Sequence, residues 1–114
     1  MSEQSGTSNT QKNEGASVVS AGSNYRLPTE ITLKHATKLA IVEDKPIMMD
    51  YWTPSLDKKA MVGARENNEK LLVRSAEEYT SVIQKFYKSG TEYIIITENS
   101  IYIVASDIPT RKIS

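Results

Sequence analysis

Tyr93-Ile94-Ile95-Ile96-Thr97-Glu98-Asn99-Ser100-Ile101-Tyr102-Ile103-Val104 reads as a β-hairpin with apolar residues on both faces. With Glu98-Asn99 as a two-residue loop, Thr97 pairs with Ser100, Ile96 with Ile101, Ile95 with Tyr102 and Ile94 with Ile103. Side chains alternate along a strand. One face therefore carries Ile94, Ile96, Ile101 and Ile103, and the other Tyr93, Ile95, Tyr102 and Val104. A helix covers one such face in a small domain, so the second face needs another cover.

Upstream, Ser75 and Glu78 have the spacing of a capping box. Tyr79, Val82, Ile83 and Phe86 then follow at i, i+3, i+4 and i+7. With Lys85 and Lys88 in the last turn and Gly90 as a C-terminal cap, this predicts a helix over 75–89. A second helix is predicted from Pro28-Thr29 to about Asp44, capped by Thr29 or Thr32 and stopped by Pro46. Its apolar side is Ile31, Ala36, Leu39, Ala40 and Val42, widened by Leu33 and Ile41.

Three strands lie between the helices, at 47–52, 59–65 and 70–74. Gly63 in the second marks a bulge or a close backbone approach, and Glu66-Asn67-Asn68-Glu69 is a polar turn. Asp107-Ile108-Pro109 ends the sheet. The expected fold class is α+β, a mainly antiparallel five-stranded sheet with two helices in the order α-β-β-β-α-β-β. Strand 70–74, helix 76–88 and strand 92–97 form a right-handed crossover in that scheme, with the two strands parallel.

The first 24 residues differ from the rest, with six serines, three glycines and three charges. Such a segment buries too little apolar surface to offset its conformational entropy, so a disordered tail at 1–24 precedes one domain over 25–114. The 114 residues support a single modest core. Basic and acidic residues balance at 14 each, so no long-range field selects nucleic acid or an anionic membrane. There is no cysteine, which removes disulfides, thiolate metal sites and a cysteine nucleophile together. No apolar run approaches the ~20 residues of a membrane span, so a soluble intracellular protein is expected.

Catalytic signatures are sparse. His35, the only histidine, lies between Lys34 and Lys38 without a carboxylate at helical spacing. Glu43, Asp44 and Asp50 are near one another but lack calcium-loop spacing and read as a solvated helix end and strand edge. The glycine-rich, phosphate-loop, metalloprotease and nucleophile-elbow motifs are missing. No cofactor is expected, and the chain reads as a non-enzymatic interaction module.

Two surfaces compete for that role. Met49, Tyr51 and Trp52, with Tyr93, Ile95, Tyr102 and Val104, form the expected interface for a second copy of the chain or another protein. The alternative is a nucleic-acid surface built by Lys58, Lys59, Arg65, Lys70 and Arg74 on two adjoining strands, diluted by Asp57, Glu66 and Glu69. A polar tail on a compact domain rich in Lys, Glu and Ile also suits a small viral or phage accessory protein, though no motif carries that likeness.

Overall fold

The computed structural model describes residues 26–113; the expected tail at 1–24 lies outside them. The described chain is α+β, with helices α1 (Glu30–Glu43) and α2 (Trp52–Leu56). Its strands are β1 (Ile47–Met48), β2 (Met61–Ala64), β3 (Lys70–Ser75), β4 (Glu78–Tyr79), β5 (Ile83–Ser89), β6 (Glu92–Thr97), β7 (Ile101–Ala105) and β8 (Thr110–Lys112). They form two four-stranded sheets instead of the single five-stranded one expected, ordered β1-β7-β6-β5 and β4-β3-β2-β8. Each sheet is mixed, because β1 runs parallel to β7 and β8 parallel to β2, while the remaining pairs are antiparallel.

The central hairpin has the register read from sequence, with Ile94, Ile95 and Ile96 opposite Ile103, Tyr102 and Ile101. Its loop is held by the Thr97 hydroxyl, which accepts from the amides of Asn99 and Ser100 at 3.3 and 3.2 Å. Both faces are covered, each by a different layer. Ile94, Ile96, Ile101 and Ile103 pack under α1 with Ala36 and Trp52. Ile95 and Val104 pack against Val62 and Leu72 of the second sheet, together with Tyr51, Ala60 and Ile108. The layers are therefore helix, first sheet and second sheet.

Small residues let α1 approach the sheet closely: Thr32 and Ala36 are fully buried, with Leu39 and Ala40 beside them. Ile31 and Val42, expected on the packed side, stand 62% and 70% exposed. Thr29 is the N-cap, and Asp44 ends the helix in the left-handed conformation at φ 57°. Residues 47–52 give only a two-residue strand, since Tyr51 already precedes the turn into α2. Trp52 is fixed there by donating its indole N–H to the Arg26 carbonyl at 2.7 Å.

The helix expected over 75–89 is absent. Ser75 does accept from the amides of Glu77 and Glu78, at 3.2 and 3.1 Å, as a cap would. The turn so fixed closes a hairpin in which Ser75 pairs with Glu78, and the chain continues into β4 and β5. Tyr79-Thr80-Ser81-Val82-Ile83 is dense in β-branched and aromatic residues, which lose rotamer freedom in a helix and fit a pleated surface. Pairing with β6 satisfies one edge of β5. Gly90 takes φ +61° as the first residue of the two-residue loop between Ser89 and Glu92, a hairpin turn and not a helix cap. The expected parallel crossover fails for the same reason, because β3 and β6 belong to different sheets.

A buried carboxylate fastens α1 to this β5–β6 turn. Glu92 is fully buried and accepts from Arg26 Nη1 at 3.0 Å, the Thr29 amide at 3.2 Å and the Thr29 hydroxyl at 2.9 Å. Burial pushes its pKa up, and hydrogen bonds from Thr32, Arg26 and Thr29 outweigh that and hold it below the usual carboxylate value. The Ser89 hydroxyl, 3.0 Å from the Thr32 hydroxyl, ties β5 into the network.

Candidate functional site: a basic groove on the second sheet

The second sheet packs only its inner face against the first. Alternation along β2 and β3 turns Val62 and Leu72 inward, and Met61, Gly63, Leu71 and Val73 outward. β4 adds Tyr79 to the outward side, and the strand after Pro109 adds Arg111 and Ile113. Together they line an open groove of about 690 Å³.

Gly63 is required by this packing. A β-carbon there would lie 2.7 Å from Ile113 Cδ1 and 3.0 Å from Val73 Cγ2. Of the two readings of Gly63, the close approach is the one found. Ile113 is held in place by its amide, which donates to the Ala64 carbonyl at 2.8 Å.

The groove's charge is one-sided. Lys58, Lys59, Arg65, Arg74 and Arg111 line it, and among the described residues no aspartate or glutamate does. Three of these cations have acidic partners outside the lining: Lys58 with Asp107 at 3.8 Å, Arg65 with Glu69 at 3.2 Å and Arg74 with Glu78 at 3.9 Å. Arg74 is further held by the Asp50 carbonyl at 3.3 Å and lies 5.6 Å above the Tyr51 ring. Lys59 and Arg111 have no ion pair among the described residues. Tyr79, 56% exposed, offers an open aromatic face on the β4 side.

Four of the five cations considered in the sequence thus line one groove, Arg74 from its rim, where it also reaches Asp50 and Tyr51. Lys70 does not. It shares the Leu72 side of β3 and faces a separate concavity with Ile83, Phe86 and Tyr93 at the open end between the sheets. Arg111 was missed. The Thr110-Arg111-Lys112-Ile113 stretch after Pro109 is short, and its alternation carries weight only once β2 is known to pair with it.

The seven residues expected to form an interface do not make one exposed surface. Ile95 and Val104 have no exposure, and Tyr51 and Trp52 only 4% each, because the second sheet and α1 cover them from within the chain. Tyr93 and Tyr102 are partly buried against the same core, Tyr93 edge-on to Phe86 and Tyr102 edge-on to Tyr51. Met49 remains 41% exposed. Burial, with the neighbouring Asp50 charge, pushes the Tyr51 phenol up to about 12, so it stays neutral throughout the physiological range.

His35 is exposed on α1. Glu43 is taken by Lys85 at 2.8 Å, and this hydrogen bond lowers its pKa. Among the described residues, no group of three His, Cys, Asp or Glu side chains is placed to hold a metal ion, and no helix is long and apolar enough to cross a membrane. Comparison of the chain with protein-family models, curated proteins and solved structures gives no match.

Proposed function

We propose that the protein is a non-enzymatic binding module that holds a polyanionic partner, a nucleic acid, against the outer face of its second sheet. One observation carries this: among the described residues, five basic and no acidic side chains line a single concave surface in a chain of zero net charge. Such a surface neutralises phosphates and releases their counterions, so affinity falls steeply with salt. Fluorescence anisotropy of a labelled oligonucleotide at stepped salt concentrations tests it. The expected result is a linear fall of log K with log salt that becomes shallower in Arg111→Ala. Undetectable binding at low salt would refute the proposal.

A second reading, self-association, is favoured by the free edge of the first sheet. Among the described residues β5 pairs only with β6, and Phe86 and Tyr87 on it are 42% and 40% exposed. An edge strand of this kind invites another strand, while Lys85 and Lys88 on it oppose such pairing. Light scattering across a concentration series decides between them. A monomer at high concentration rules out association through β5.

A further inference from the structure

We infer that the groove takes an extended single strand of nucleic acid, with phosphates along β2 and β8 and an unstacked base against Tyr79. This rests on the polyanion reading above and deepens it. The basic positions run along the strands: Lys59 to Arg65 spans up to about 20 Å at ~3.3 Å per residue, and Arg111 lies beside Gly63 midway along that row. Alternate residues of a strand lie about 6.7 Å apart, on the scale of the phosphate step in an extended single strand, so Lys59, the Arg111 position beside Gly63, and Arg65 fall about two steps and then one step apart along the row. Lys59 and Arg111, which have no ion pair among the described residues, are the two positions that need not give up a partner to receive a phosphate.

The rest of the lining argues against a duplex. Met61, Val73 and Ile113 give the groove an apolar floor, and Tyr79 gives it an aromatic edge. A duplex buries its base faces in its own stack and presents phosphates to such a surface, leaving floor and ring without a ligand. A single strand supplies both chemistries at once, since every base has a face that stacks on an aromatic side chain. An acidic peptide would satisfy the cations but has nothing of that shape for Tyr79.

The test uses the full chain with labelled oligothymidylates of increasing length, a duplex of equal phosphate number and a polyglutamate of equal charge. Affinity is expected to rise with length and level off once the strand outruns the basic row. The single strand should bind more tightly than the duplex or polyglutamate. Tyr79→Ala should weaken single-strand binding about five- to 150-fold with no change in salt slope. Arg111→Ala should flatten that slope by about 0.7. Lys70→Ala, on the opposite face, should leave both unchanged. Because Tyr79 and Arg111 are exposed, unaltered melting curves should show that these variants fold.

Equal binding of duplex and single strand, or indifference to Tyr79→Ala, overturns the single-strand inference and leaves the polyanion reading standing. Tighter binding of polyglutamate overturns the inference in favour of an acidic protein partner. Failure of all three ligands overturns both.

Discussion

The two sheets have equal strand numbers and opposite relations to their surroundings. The first lies between α1 and the second sheet, so both its faces are closed, and β6 and β7 run as nearly continuous apolar residues. The second closes one face only. Its outward side keeps apolar residues on the floor and cations around them. A side chain therefore serves stability or recognition according to how many layers lie over its strand, and hydrophobicity alone does not separate the two. Ile95 and Val73 show this, since both are buried β-branched residues on central strands, yet only Val73 borders the groove.

The largest effect that tests this contrast is on the first sheet. Ile95→Lys places a charge where exposure is zero, among Tyr51, Val62, Leu72 and Val104. The expected cost is upward of about 4 kcal/mol, enough to unfold a domain of ordinary stability, and urea denaturation reads it. A folded variant that changed only its state of association would return Ile95 to an interface.

Next in size is the anchor between α1 and the first sheet. Glu92→Ala should cost roughly 3 kcal/mol at neutral pH, the low end for a broken buried pair because Arg26 is itself 44% exposed. The lowered pKa of Glu92 also sets a sign. The unfolded chain binds its proton more readily, so the carboxylate's contribution is present above about pH 4.5 and is lost as pH falls through the lower folded value. Melting curves of Glu92→Gln should accordingly show a weaker loss of stability below pH 4.5 than the native chain. Equal slopes would show that other carboxylates carry the acid transition.

Smaller effects belong to the second sheet. Gly63→Ala should cost about 1–3 kcal/mol, because the new methyl must displace Ile113 and Val73, while Gly63 does not adopt a positive φ that would add strain. It should also weaken oligonucleotide binding, since Ile113 is part of the groove floor. Arg111→Ala should change stability by no more than about 0.5 kcal/mol while weakening binding, which chemical denaturation alongside anisotropy can establish.

Local reading of the sequence went furthest where one pattern had one solution. The 93–104 register is fixed by a two-residue loop and strict alternation, and α1 by Thr29, Asp44 and Pro46. Residues 75–89 allowed two solutions. Ser75 and Glu78 make the same hydrogen bond in a helix cap and in a tight hairpin, and Tyr79, Val82, Ile83 and Phe86 fit a period of 3.6 over too few turns to exclude strands. Tertiary pairing with β6 decided between them. The unread strands then changed the meaning of the apolar hairpin: its second face has a cover within the chain, made by β2 and β3, and needs none from outside. The cations were legible as a group because β2 and β3 are joined by the 66–69 turn, where Asn68 takes φ 71°. Arg111 was not, because the parallel partner that places it lies far away in sequence.

That distant pairing has a kinetic consequence. The β5–β6–β7 meander and the β2–β3 hairpin close through short loops, whereas β8 joins β2 only after a long stretch of chain has been ordered. All three residues of β8 are exposed, and the strand is flanked by single bonds, from Val62 N–H to the Pro109 carbonyl and from Ile113 N–H to the Ala64 carbonyl. Native-state hydrogen exchange should find the Ile113 amide opening at a lower free energy than those of Ile95 and Ile103. Mild warming would then detach β8 and erase the recognition surface while the isoleucine core persisted. In that event ligand binding would melt at a lower temperature than the protein itself.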